Sequence, residues 1–259
     1  MAMGATGPVP KPESKGVSSA IVIIPARMAA QRLPGKPLAD IGGLPMIVRA
    51  LRQAEAADVG PVVVAAGDAE IVQAIESHGG RAVLTDPVLP SGSDRVRAAL
   101  QAVDPDGRFD AVINLQGDMP FVDPATLAAV ARLMAEESGC DIGTAVASEA
   151  SVDDRNNPDV VKAVLAMTAT DRGRALYFTR STLYGDAPVW RHIGIYGYRR
   201  SALDRFCSAE PSPLERREKL EQLRALEMGL SIWAAVVNEA PMSVDNPADL
   251  EAVRASLSS

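Results

Sequence analysis

The chain has 259 residues, 47% hydrophobic and 23% charged, which is enough apolar material to close a sizeable core. Its net charge of −7 argues against a nonspecific binder of nucleic-acid backbone or anionic membrane, since either ordinarily needs a basic face. No apolar run approaches the roughly 18 residues of a membrane span, and Cys140 and Cys207 lack metal-ligand spacing, so free thiols in the cytoplasm are expected.

Residues 1–19, rich in Pro, Gly, Ser and Lys and without an apolar signal core, read as a disordered leader. A β-branched run at 20–24 reads as a buried parallel strand ending at Pro25. A loop follows over 26–37, then a helix over 46–56 with Ile47, Val48 and Leu51 inward, and a strand over 61–66. Asp68 is placed to cap a helix over 69–77 that stops at Gly79-Gly80. A third strand is expected over 81–84, and Ser93 is placed to cap a helix over 94–103. A fourth strand over 110–115 leads into Gln116-Gly117-Asp118, followed by a helix over 126–137.

Such alternation predicts an α/β fold, a mostly parallel central sheet with helices on both faces. Beyond residue 140 the pattern becomes mixed, with strands over 160–165, 193–198 and 232–237 and helices over 201–206 and 213–228. A last helix over 247–255 has Asn246 as its cap. A single domain over 20–259 is expected, with a smaller mixed α/β lobe at about 141–212.

Open α/β sheets bind ligands beyond the carboxyl ends of their strands, which selects the loops after Ile24, Leu84 and Leu115. The first carries Arg27, Arg32 and Lys36 on a backbone kept irregular by Pro25, Pro34, Gly35 and Pro37. It is neither a Walker loop, because Pro37 follows Lys36, nor a Gly-x-Gly-x-x-Gly turn. Arginine forks and a lysine point charge suit a triphosphate. A solvated basic loop would have the same composition; its place in an acidic protein favours the phosphate site.

Asp118 and Asp245 are candidate ligands for Mg2+, which takes one or two carboxylates and completes its shell with phosphate and water. Each is also placed to cap a turn or helix. After the third strand, Ser93 can cap while Ser91 and Gly92 face a ligand. His192 and Tyr196, four apart on a strand, share a face; so does Tyr198, and direction alone does not separate the two tyrosines.

Arg27-x-x-x-x-Arg32-Leu33-Pro34-Gly35-Lys36-Pro37-Leu38 resembles the 3-deoxy-D-manno-octulosonate (Kdo) cytidylyltransferases, or CMP-Kdo synthetases. The likeness continues through Ser91-Gly92-Ser93-Asp94-Arg95, Gln116-Gly117-Asp118, Arg191-His192-Ile193-Gly194-Ile195-Tyr196, Leu220-Glu221-Gln222 and Val244-Asp245-Asn246-Pro247, and so covers residues 20–257. It implies a Rossmann-like nucleotidyltransferase fold and an Mg2+-dependent transfer of CMP from CTP to the anomeric hydroxyl of Kdo. The products are CMP-Kdo, for lipopolysaccharide synthesis, and pyrophosphate. The enzyme would be a cytoplasmic homodimer, with sugar binding and dimerisation in the smaller lobe.

By the same resemblance, Pro25, Ala26, Arg27, Arg32 and Lys36 bind nucleotide together with Ser91, Gly92, Arg95 and Gln116. Arg27, Lys36, Asp118 and Asp245 are catalytic, the two aspartates holding the metal. Arg180, His192, Tyr196, Glu215 and Gln222 line the sugar pocket. No dedicated general base stands out, so a metal-polarised hydroxyl is assumed. The alternatives are another acidic sugar, 8-amino-Kdo or sialic-acid-like, and a catalytically silent nucleotide-binding relative.

Overall fold

The first strand, β1 (Ala20–Ala26), is buried along all but its first residue because its two faces meet two different helical layers. The computed structural model describes residues 19–29, 33–148, 152–183, 185 and 189–257. Residues 1–18 of the expected leader, and Arg32, lie outside them.

After β1 come a 3-10 turn at Lys36–Leu38 and a small hairpin, β2 (Asp40–Ile41) and β3 (Leu44–Pro45). Regular alternation follows: α1 (Met46–Ala56), β4 (Val62–Ala66), α2 (Ala69–Ser77), β5 (Ala82–Leu84), α3 (Gly92–Val103), β6 (Ala111–Asn114) and α4 (Pro124–Glu136). The second half runs β7 (Ile142–Ser148), α5 (Val152–Asn156), β8 (Lys162–Ala169), β9 (Arg172–Thr179) and β10 (Trp190–Arg199). It closes with α6 (Arg200–Ser208), α7 (Pro213–Glu218), α8 (Gln222–Glu227), β11 (Ile232–Val237) and α9 (Pro247–Ser256).

Nine strands form one sheet in the order β5-β4-β1-β6-β10-β7-β11-β9-β8. The first four are parallel to one another, and β10 enters antiparallel between β6 and β7. β11 runs parallel to β7, while β9 and β8 are antiparallel. β8 also bonds back to β10 at Trp190 and Arg191, so the last five strands curl onto themselves.

Side chains alternate across β1, and the layers follow from that period of two. Val22 and Ile24 pack with Ile47, Leu51, Ile71 and Val130 of α1, α2 and α4. Ile21 and Ile23 pack on the other face with Val96, Leu100, Leu203 and Leu223 of α3, α6 and α8. Each fully buried aliphatic side chain contributes about 1.5–3 kcal/mol. A third cluster, Ile41, Met46, Val244, Leu250 and Val253, docks α9 against the small hairpin and so fixes the chain around Asp245.

Several expectations need correction. Asp68 does occupy the N-cap position of α2, but its side chain makes no capping bond; Oδ2 accepts instead from the backbone N–H of Met28 at 2.7 Å. Ser91, not Ser93, caps α3, its hydroxyl accepting from Asp94 N at 3.1 Å. The freed Ser93 hydroxyl donates to Glu221 Oε2 at 3.4 Å. The expected single helix over 213–228 breaks at Lys219, which is left-handed at φ 56, giving α7 and α8. Strands β7 and β9 went unread. Asn246 does cap α9, in a capping box with Asp249. Cys140 is buried and Cys207 half-buried, and both are free thiols. No helix among the described residues is long and apolar enough to cross a membrane.

Candidate active site

The loops after β1, β5 and β6 converge on a cleft of about 990 Å³ at the carboxyl end of the parallel strands. Pro25, Ala26, Arg27, Lys36, Ser91, Gly92, Arg95, Gln116, Asp118 and Asp245 all border it. Every nucleotide or metal residue expected from the sequence therefore meets in one place, apart from Arg32, which lies outside the described residues.

Lys36 organises the floor of this cleft. Gly35, left-handed at φ 71, turns the chain into the 3-10 segment that projects Lys36 inward. Its Nζ donates to Asp118 Oδ2 at 2.9 Å, to the Val244 carbonyl at 2.9 Å and to Asp245 Oδ1 at 3.4 Å. The two aspartate segments are also stitched directly, Val244 N donating to the Asp118 carbonyl at 2.9 Å. Asp245 N donates to Asp249 Oδ2 at 2.8 Å, which ties its backbone to the capping box of α9.

Two carboxylates converging on one cation fit a divalent metal, provided the remaining ligands come from phosphate and water. That proviso is needed: among the described residues no three potential metal-ligating side chains come together.

Arg95 has a different place from the one its sequence suggests. It is 2% exposed, and Nη1 donates to Thr85 Oγ1 at 2.6 Å and to the Asp86 carbonyl at 3.1 Å. Burial lowers its pKa, the neighbouring Arg27 adds to that, and Asp68 and Asp86 oppose it. Its guanidinium thus shapes the β5–α3 loop as well as bordering the cleft. Arg27 is exposed at the rim. Gln116 Nε2 donates to Asn114 Oδ1 at 3.2 Å, while Asn114 Nδ2 is buried without a partner among the described residues.

A second cavity, of about 280 Å³, includes His192, Tyr196 and Gln222 in its wall, along with Met119, Gly194 and Asp159. Met119 directly follows Asp118, so the two cavities adjoin along residues 116–119. A bulge in β10 between Ile193 and Tyr196 shapes this wall. Thr144 of β7 holds the bulge: its hydroxyl lies 3.0 Å from His192 Nε2 and 2.7 Å from the Ile195 carbonyl. Burial pushes the His192 imidazole down to about 3, so it is neutral at physiological pH. Its ring lies 5.5 Å from Tyr196, in agreement with the shared face. Tyr198 is 3% exposed, packs 5.9 Å from Phe206 and belongs to the core.

Two expected sugar residues lie elsewhere. Arg180 is outside the lining and donates to the Pro158 carbonyl at 3.0 Å, beside Asp159, which does line the cavity. Glu215 is drawn away altogether: it forms a forked pair with Arg224, at 2.8 and 2.9 Å, and accepts from Ser212 N at 3.0 Å as the capping box of α7. The acidic residue in the lining is Asp159; Glu221 lies outside it and meets the Ser93 hydroxyl. Burial raises its pKa, with Arg224 opposing, and it acts electrostatically on Tyr196. Only the break at Lys219, which no glycine announces, separates its surroundings from those of Glu215.

A family model described as cytidylyltransferase matches residues 21–232. A 3-deoxy-manno-octulosonate cytidylyltransferase of Rhodospirillum centenum is 56% identical over 239 residues, 92% of this chain and 93% of the relative. One from Rhodopseudomonas palustris is 55% identical over 242 residues, 93% of this chain and 98% of the relative. The chain belongs to this family. A solved CMP:2-keto-3-deoxy-manno-octonic acid synthetase, complexed with CTP, superposes with a TM-score of 0.86 at 35% identity, over 93% of this chain and 99% of that one. A nucleotidyl transferase from Methanothermobacter thermautotroptrophicus shares the fold at a TM-score of 0.61 and 15% identity, over 92% of this chain and 97% of that one. The α/β fold expected from the strand–helix alternation and the nucleotidyltransferase fold implied by the resemblance are thus found; the parallel strands are β5, β4, β1 and β6 on one side of the sheet and the pair β7 and β11 on the other.

Proposed function

We propose that the larger cleft holds CTP, that the adjoining cavity holds Kdo, and that CMP passes to the sugar's anomeric oxygen where the two meet. The observation that carries this reading is the convergence of Lys36, Asp118 and Asp245 at the floor of one cleft, beside a second polar cavity. The anomeric hydroxyl oxygen bonds to the α-phosphorus and gives up its proton to solvent, the bond from the α-phosphorus to the oxygen bridging to the β-phosphate breaks, and pyrophosphate leaves with that oxygen and its charge. Catalysis then consists largely of positioning and charge neutralisation.

Arg27 at the rim and Lys36 at the floor hold the phosphates, with Arg32 assigned the same role. Asp118 and Asp245 would hold Mg2+, which supplies charge neutralisation on the triphosphate when bound. Ser91, Gly92 and Gln116 face the rest of the nucleotide, and Arg95 fixes the loop that carries them. Gln222, Tyr196 and His192 offer hydrogen bonds to sugar hydroxyls. An imidazole with a pKa of about 3 is a weak base, so His192 orients substrate and does not take its proton.

The smaller lobe at about 141–212 contributes His192 and Tyr196 to the sugar side. It also exposes Met167 and Leu176 on the β8–β9 hairpin, apolar surface suited to a second copy of the chain in a cytoplasmic homodimer. Pyrophosphate release with CTP and a panel of sugar acids tests the assignment: release should need Kdo. Release with a different sugar acid alone would redirect the substrate.

A further inference from the structure

Asp68 stands outside the site residues, yet it grips the loop that carries them. Its Oδ2 accepts from Met28 N at 2.7 Å, and the Met28 carbonyl in turn accepts from Gly35 N at 3.3 Å. Met28 and Gly35 therefore form the base of the basic loop, with Arg27 just before it and Lys36 just after. Gly67 supports the arrangement: its N–H donates to the Ala26 carbonyl at 2.8 Å, and a Cβ there would stand 2.9 Å from Arg95 Nη1 and 3.1 Å from Arg27 Cβ. The Asp68 carboxylate also acts on the buried Arg95, opposing the effect of Arg27.

We infer that Asp68 is a positioning residue for nucleotide binding: its carboxylate fixes the Met28–Gly35 base and thereby aims both Arg27 and Lys36 into the cleft. The inference rests on the assignment of that cleft to CTP. A carboxylate accepting a backbone N–H makes a charge-assisted bond, stronger than a neutral one. α2 takes no side-chain cap from it, so the carboxylate is left to Met28 and to the charge of Arg95.

The test separates positioning from helix capping by side-chain length. Asp68→Asn keeps an acceptor at the same reach; Asp68→Ser keeps a good capping group that falls short of Met28; Asp68→Ala keeps neither. CTP affinity by calorimetry, CTP KM, kcat and thermal stability are measured for each, with Arg27→Ala as the reference for the cleft. The expected result is a loss of CTP affinity of about tenfold in the Ala and Ser variants, the scale of one hydrogen bond to a charged group. KM should rise accordingly, kcat should fall less, and the Asn variant should stay within about threefold of wild type. Full recovery of CTP affinity in Asp68→Ser would reduce Asp68 to a helix cap and overturn the inference. Wild-type affinity in Asp68→Ala alongside weakened binding in Arg27→Ala would also overturn it while leaving the cleft assignment intact. Wild-type affinity in Arg27→Ala would instead remove the cleft assignment and the inference with it.

Discussion

Lys36 and Asp118 are bonded at 2.9 Å across 82 residues of sequence, and Asp245, from near the far end of the chain, joins them at 3.4 Å. One ammonium thus holds together a loop after β1, a turn after β6 and the entry to α9. The first two follow adjacent strands of the sheet and the third leads into a helix docked on the small hairpin, so the constellation exists only when β1 and β6 have paired and α9 has docked.

Asp118→Asn should lower turnover at least about a hundredfold, because it removes one of the two carboxylates that would hold the Mg2+ whose charge neutralises the reacting phosphate. Asp245→Asn should follow in the same direction. Stability should change by less than about 1 kcal/mol for either, since both partners of Lys36 are partly exposed. Steady-state pyrophosphate release and denaturant melts on the same preparations check both expectations.

Gly67→Ala should weaken CTP binding several-fold and cost about 1–3 kcal/mol of stability. The added methyl has to push aside Arg95 Nη1, 2.9 Å away, and crowds Cβ of Arg27, the rim cation, at 3.1 Å. Calorimetric titration with CTP reads the first effect and urea unfolding the second. Unchanged affinity would show that the cleft tolerates movement of this strand end.

Glu215→Ala should destabilise the protein by about 3–5 kcal/mol, the cost of leaving Arg224 buried without its partner. Glu215→Gln should lose less, because its oxygen can still accept from Ser212 N. If Glu215 is structural, the folded Gln variant keeps its sugar KM. A large rise in sugar KM at unchanged stability would return Glu215 to the substrate.

The sequence made the nucleotide side readable because proline and glycine punctuate it: Pro34, Gly35 and Pro37 allow no long strand or helix after β1, and a single 3-10 turn leaves Lys36 to project. Asn246 followed by Pro247 and Asp249 announced α9 for a similar reason. The sugar side was harder to read. Gly143, Ala145 and Ala147 in β7 are poor strand formers, yet they pair with β10, and Thr144 holds its bulge. Arg172, Gly173 and Arg174 give the start of β9 no apolar run to read. Ser91 and Ser93, two residues apart, both fit a cap, and only packing against Glu221 decides between them. Glu215 and Glu221 sit in what reads as one helix, and a left-handed Lys219 separates their fates.

His192 should impose a stability slope on the acid side. In the folded protein it titrates at about 3 and in the unfolded chain near 6.5, so between those values the unfolded state binds the extra proton. Its contribution is complete above about pH 6.5 and is lost as pH falls towards 3. Asp104 adds a separate loss lower down. Burial raises its pKa, but bonds from Phe109 N, Arg108 N and Arg200 outweigh that and hold it at about 2, so its contribution fades as pH drops from about 3.8 through 2. Urea melts across this range should show that His192→Gln flattens the slope between pH 6.5 and 4 while leaving the lower loss in place.

The most direct test of the account is pyrophosphate release measured with CTP and Kdo together, with each omitted in turn, for the wild-type chain and Asp118→Asn. The account predicts release only when both substrates and Mg2+ are present, and near-complete loss in the variant. Release without Kdo, or undiminished release from Asp118→Asn, would contradict it.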